Sequence, residues 1–550
     1  MRAALIGFWF MVTGVQAASL QFCPDTQGAG GTGAQVVRAD GAQMRLVVGE
    51  AMQSGCHGIV LPLPADVIAA VHPVGAAPSP GERILLQGPE REGRFIIGSV
   101  STTGGQPAVE RPQPMPLLEN LLPALTVRVF GVEERVQARI ADGRLRLDCR
   151  AGSRPAGVLL SGKGYLPMAR STLRVQGNAS GRFNFAVADT AQAAKESAVG
   201  LGSLDPGKES LNLELPRAGF DRTRWHSFSI ACPREAAELD LADLRLVPQS
   251  SSPATRSAWM WDAQQWVGRP GDVVARAQAR GVRTLFVSIP VSGHAVLEPQ
   301  RLVTFVRLAR AAGIAVWSVD GDPRMVLPGE HAKTVMRARA YAAYNAGVDA
   351  DARLAGMQFD IEHYLLPGYE LSASALDKHY LSLARALRSA AQGMPLEFVV
   401  PFWWAEKTEL MKGLAAAASG LNVMDYRTDP EQIRRFAVPF LDWGAMHGKS
   451  VRIALEAGPV EPEQQRRYVR ATEGELWLVN VEQTPVLVLL KEARANPHGP
   501  AFRLESASVF DGSATSFHRD PERLVALLPE LEAWFSAWTS FGGIALHELK

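Results

Sequence analysis

A charge imbalance is absent from this 550-residue sequence: 57 Lys and Arg face 56 Asp and Glu, for a formal charge of +1. Nucleic-acid-binding domains show a strongly basic face or tail, so nucleic acid is not an expected partner. Long hydrophobic runs are also missing. The apolar run at residues 3–12 is shorter than the ~20 residues a membrane helix needs, and no later run qualifies. Stable membrane insertion is therefore not expected. Cysteine is scarce, at four residues, and histidine reaches only 11. No Cys-x-x-Cys and no close His pair exists, which removes the usual zinc spacings; no metal and no cofactor is implied. The remaining composition, 47% hydrophobic and 21% charged, is that of folded soluble domains and excludes general disorder or a fibrous repeat.

The start of the chain sets the expected compartment. Met1 and Arg2 precede the short apolar run, and Val15-Gln16-Ala17 supplies a V-x-A site among small residues. A basic start, a short apolar segment and such a site predict a secretory leader over residues 1–18, with an uncleaved anchor as the alternative. The mature protein is then periplasmic or secreted. Cys23, Cys56, Cys149 and Cys232 agree, because an even cysteine count in an oxidising compartment predicts disulfides. Sequence proximity favours Cys23–Cys56 and Cys149–Cys232 among the three connectivities; free buried thiols are the other reading.

Three regions follow. Residues 19–115 are rich in Gly, Pro and Ala with short strand-like runs, and predict a small β-rich region ending in a proline-rich stretch over 106–114. Residues 123–249 alternate apolar and polar in many short runs, which predicts a β-sandwich. That region resembles the jelly-roll modules of carbohydrate-active enzymes, which implies a possible sugar-binding role. Trp225 is either a sugar platform or a core aromatic. Gln-Ser-Ser-Ser-Pro at 249–253 predicts a joint, and a chain starting near residue 254 is expected to fold alone. Residues 256–550 alternate strand-like runs with amphipathic helices, the pattern of a (β/α)8 barrel. Its strands are expected at 258–261, 284–289, 315–319, 355–361, 397–401, 421–426, 451–455 and 543–547. The long seventh unit holds strand-like runs near 475–479 and 502–517, expected to decorate the barrel mouth.

In such barrels the chemistry lies at the C-terminal ends of the strands. Those ends carry Trp261, Asp320, Asp360, Glu362, Trp403, Trp404, Tyr426, Glu456 and His547. Carboxylates among aromatics suit glycoside cleavage: one acid donates a proton, and flat rings receive sugars. Lys, Arg and glycine-rich loops, which phosphate chemistry needs, are scarce there. Strand alternation puts Gln358, Asp360 and Glu362 on one face. Two acids so placed repel, which raises the pKa of one and makes a general acid.

Gln358-Phe359-Asp360-Ile361-Glu362 and Met424-Asp425-Tyr426-Arg427 resemble the strand-four D-x-x-D-x-D-x-E and strand-six M-x-Y-D runs of glycoside hydrolase family 18, the chitinase-like barrels. The resemblance implies that Glu362 is the proton donor, Asp360 its partner and Tyr426 the phenol that contacts the reacting sugar. The last strand, 542–547, is also similar to the family's ending. Three positions depart from the pattern: Gln358 and Arg427 stand for Asp, and His547 for Trp. Strand seven adds a second reading. Glu362 and Glu456 occupy the positions of acid/base and nucleophile in the large retaining-glycosidase clan, although Ile361 stands where that clan has Asn.

The sequence thus predicts an exported glycoside hydrolase with a carbohydrate substrate. Catalysis is assigned to Glu362, Asp360, Tyr426 and Glu456. Substrate binding is assigned to Trp261, Asp320, Gln358, Trp403, Trp404 and His547. A non-catalytic polysaccharide-binding or scaffold protein on a degenerate glycosidase barrel is the rival from another class. A metal-dependent deacetylase would need more His ligands than the strand ends offer. No oligomeric state is assigned.

Overall fold

A computed structural model describes residues 16–25, 34–103, 113–188, 198–215, 226–249, 251 and 255–547. The expected leader lies outside these up to residue 15, as do Trp225 and most of the stretches at 106–114 and 249–253. Gln16–Pro24 is already a strand, paired with Gln43–Gly49 and His57–Leu63. Among the described residues no helix is long and apolar enough to cross a membrane.

Between Thr126 and Pro248, two five-stranded antiparallel sheets face each other. Alternation builds them. In Arg144–Cys149, Leu145, Leu147 and Cys149 are buried while Arg146 and Asp148 are exposed. The inward residues meet Phe183, Phe185, Phe228 and Ile230 of the other sheet in one core. The Cys149–Cys232 disulfide joins the two sheets, and Cys23–Cys56 closes the first β region, so both favoured pairings are formed. Two disulfides fit an oxidising, extracytoplasmic setting.

The first β region is not self-contained. Val67–Pro73 pairs with Thr484–Arg494, and Arg83–Gly88 pairs with Glu463–Ala471. The early strands and the insertion after the seventh barrel strand thereby make one seven-stranded sheet. A four-stranded sheet from residues 16–63 covers it. Leu20, Phe22, Leu46 and Leu61 bury Trp477, Val479 and Val488 there. The physical reason is burial: each piece is apolar on a face that nothing nearby in sequence covers. This unit also braces the barrel. The Val37 N–H donates to the Pro367 carbonyl at 2.6 Å. Gly368 has φ +78°, and a Cβ there would lie 2.6 Å from the Val36 side chain, so this contact requires glycine.

Eight parallel strands close the barrel: Arg256–Met260, Val282–Ser288, Ala315–Asp320, Gly356–Phe359, Leu396–Pro401, Gly420–Met424, Ser450–Glu456 and Phe541–His547. Their outward residues, such as Leu285, Met357, Phe359, Val423 and Leu455, pack with the helices. Trp259, Phe286, Val319, Val399, Met424, Ala454 and Ala545 fill the interior. Helices start where the sequence supplies a cap. Asp429 accepts from the Gln432 N–H at 3.1 Å ahead of Pro430–His447, and Asp520 from the Arg523 N–H at 3.0 Å ahead of Pro521–Phe535.

The sandwich and barrel share a core. Ala169 and Met168 join the barrel's apolar cluster. Buried Asp442 accepts from the Tyr165 hydroxyl at 3.0 Å, the Met168 N–H at 2.7 Å and the Trp538 indole at 2.7 Å. Polar and apolar contacts thus join the sandwich to the barrel.

Candidate active site

Strand four ends at Phe359, shorter than expected, and a 3-10 turn, His363–Leu365, follows. The Asp360 N–H still donates to the Asp320 carbonyl at 2.8 Å. Met357, Phe359 and Ile361 face the helices, which turns Gln358, Asp360 and Glu362 inward. Asp360 has one carboxyl oxygen, Oδ1, buried without a hydrogen-bond partner. Burial and then the neighbouring Glu362 push its pKa up to about 8, with His547 pulling the other way. Glu362 is also raised, by burial, against a hydrogen bond from Tyr364 and the charge of His547. The pair therefore retains a proton at neutral pH.

Glu362 is only half-buried, and the Tyr364 hydroxyl donates to its Oε2. Tyr364 is a site residue that the sequence reading left unassigned. It stands two positions after Glu362, in the 3-10 turn that the sequence pattern did not announce. Tyr426 follows strand six, beside the inner cluster, and its phenol is raised well above the usual range by burial and by Asp360, Glu456 and Glu362. It stays protonated and can donate that proton in a hydrogen bond. Glu456 ends strand seven, 7% exposed. Its Oε1 accepts from the Gly458 N–H, and its Oε2 lies 2.6 Å from His547 Nδ1. The His547 ring sits 5.9 Å from Tyr426 and 6.2 Å from Trp259. Asp360, Glu362, Tyr426, Glu456 and His547 are thus brought together.

The aromatics divide. Trp261 is half-buried at the inner cluster. Trp403 is 43% exposed on the rim, edge-on to Tyr364 at 5.0 Å. Trp404 is fully buried against His363 and Tyr380, which corrects its assignment to substrate. Two further assignments are corrected. Val319 points inward, so Asp320 turns outward, where it pairs with Arg337 and accepts from Tyr341 at 3.2 Å. Gln358 is fully buried below the mouth, accepting from the Trp259 indole at 2.5 Å and donating to Glu397 at 3.4 Å. Glu397 also accepts from Asn422 at 3.2 Å and lies 3.8 Å from Arg452. This polar layer supports the floor of the mouth. Among the described residues no three His, Cys, Asp or Glu side chains group to hold a metal ion.

No family model and no curated protein matches this chain. Parts of it are similar to solved structures. A carbohydrate-binding module of family 29 is 11% identical over 23% of this chain and 80% of that one, at TM-score 0.18. The Clostridium thermocellum N-terminal endo-1,4-beta-D-xylanase 10B, CBM22-1-GH10 modules complexed with xylohexaose, is 10% identical over 62% of this chain and 82% of its own, at TM-score 0.28. The Bacillus cereus spore cortex-lytic enzyme SleL is 10% identical over 56% of this chain and 74% of its own, at TM-score 0.31.

Proposed function

We propose that the protein is an exported glycoside hydrolase, periplasmic or secreted, in which Glu362 is the general acid. One observation carries the reading. Asp360 and Glu362 both face the barrel mouth, burial raises both carboxyls above their ordinary range, and the Tyr364 hydroxyl donates to Glu362. In the proposed step, Glu362 gives its proton to the glycosidic oxygen as the bond to the anomeric carbon breaks; the substrate's own amide forms the new bond to that carbon, and water then displaces the amide to complete the hydrolysis. Asp360 holds the remaining charge or proton of the pair. Tyr426 donates a hydrogen bond to the reacting sugar, and half-buried Trp261 and exposed Trp403 offer flat faces.

The chitinase-like arrangement is favoured over a two-glutamate one. Both Glu456 oxygens are engaged, by Gly458 and by His547, which suits an anchor for His547 better than a nucleophile. Glu362→Gln keeps the shape and removes the transferable proton. We expect it to lower reducing-end release from a polysaccharide panel by about 10²-fold or more, with the melt unchanged. Near-normal turnover would remove the assignment. Binding by the unmutated protein without any new reducing ends would favour the non-catalytic binder.

A further inference from the structure

Beyond the acid site, a groove of about 340 Å³ opens between the barrel and the β unit that its two distant segments build. Gln87 comes from the first β region, Arg427 and Gln432 from the barrel, and Glu463, Gln465 and Phe510 from the strand-seven insertion. Carboxamides suit sugar hydroxyls, because each carries both a donor and an acceptor, as a hydroxyl does. Phe510 is 43% exposed although it ends a strand, and a sugar ring can lie on such a face. Pockets at domain boundaries with a few convergent polar groups are the usual form of a ligand site.

A run of packed side chains connects the acid site to the wall of the groove. Tyr364, bonded to Glu362, contacts Trp403 at 5.0 Å, and Trp403 contacts Phe402 at 5.2 Å. The Arg427 guanidinium lies 4.5 Å over Phe402, donates to the Tyr426 carbonyl at 2.7 Å and forms a groove wall. The opposite wall is tied to the ends of strands six and seven, since the Thr428 N–H donates to the carbonyl of the groove-lining Ala514 at 3.2 Å and, three residues on, the Phe517 N–H donates to the Glu456 carbonyl at 2.9 Å. A rim of aromatics thus leads from Glu362 to a polar trough.

We propose that this groove is a distal subsite for a pyranose several units from the cleaved bond, so that the substrate is a polymer and not a di- or trisaccharide. The proposal rests on the glycoside-hydrolase reading for its direction along the chain, but its binding test is independent of turnover. Titration calorimetry on Glu362→Gln compares cellohexaose, xylohexaose, mannohexaose and chitohexaose with their disaccharides. We expect at least one hexasaccharide to bind at least about tenfold more tightly than its disaccharide. Gln465→Ala with Phe510→Ala should erase that gap, and Gln432→Ala, on a separate element, should narrow it if the double variant fails to melt cooperatively. Equal affinities, or a gap that survives the substitutions, would overturn the subsite. Hydrolysis of the same hexasaccharides by the unmutated protein separates the two readings. Cleavage without a length-dependent gap leaves the hydrolase and removes the groove. A gap without cleavage leaves the groove and removes the hydrolase, and absence of both removes both.

Discussion

The titrating residues of the mouth give the fold a pH dependence of a definite sign. Folded Asp360 keeps its proton up to about pH 8, whereas an ordinary carboxyl releases it near 3.8. The folded state therefore holds a proton that the unfolded chain has lost. That contribution to stability is full below the ordinary value and fades as pH rises through about 8. Asp360→Asn keeps an uncharged side chain at every pH, so its melting temperature should fall less than that of the unmutated protein between about pH 5 and pH 9. Equal falls would show that the proton lies elsewhere. Tyr364 acts on the neighbouring acid. Its hydroxyl donates to Glu362 and holds the carboxyl lower than burial alone would. Tyr364→Phe should lower kcat by about tenfold and move the basic limb of the pH–rate profile upward, since hydrogen bonds to charged groups are worth ~1.5–3 kcal/mol. A loss of rate with an unmoved limb would reduce Tyr364 to packing. Asp360 and Glu362 were legible from alternation and spacing. Asp320 was misread because it looked like a strand end, while the inward Trp317 and Val319 before it already turn it out.

At the scale of elements, the eight barrel strands were legible because each carries an apolar run on the outward face, and those runs fall where the strands do. Strand four was expected to run to 361 and stops at Phe359; the Asp360 N–H makes the last bond to strand three, and Glu362 then caps the 3-10 turn. The polar layer beneath it was not legible. Glu397, Asn422 and Arg452 stand on three different strands, and nothing local to any of them announces that they meet. Burial raises the Glu397 carboxyl, and Arg452 with Gln358 opposes that. Removing one partner of such a pair strands the other. Arg452→Met should cost about 3–5 kcal/mol in denaturant unfolding, and adding Glu397→Gln should recover part of it. Strictly additive losses would mean that the two side chains do not support each other.

At the scale of the whole molecule, the sandwich and barrel were legible as separate patterns, but not their joining. Asp442 lies inside the helix Pro430–His447 and looks, in sequence, like a solvent-facing acid. In the fold it takes the Tyr165 hydroxyl, the Met168 N–H and the Trp538 indole together. Asp442→Ala removes the acceptor that these three donors share. We expect a loss of about 3 kcal/mol or more, read as two resolved calorimetric transitions where the unmutated protein gives one. A single transition at an unchanged temperature would mean that the sandwich and barrel are coupled elsewhere. The seven-stranded sheet was equally hidden, since Val71 precedes the barrel and its partner Val488 lies in the insertion after the seventh barrel strand. That pairing sets an order of events during biosynthesis. A chain synthesised amino end first displays Val67–Pro73 and Arg83–Gly88 as open edges, ready to accept any passing strand, until nearly all of the barrel has been made. Closing the sheet is then the final clasp, and the period before it is when the open edges are most exposed to mispairing.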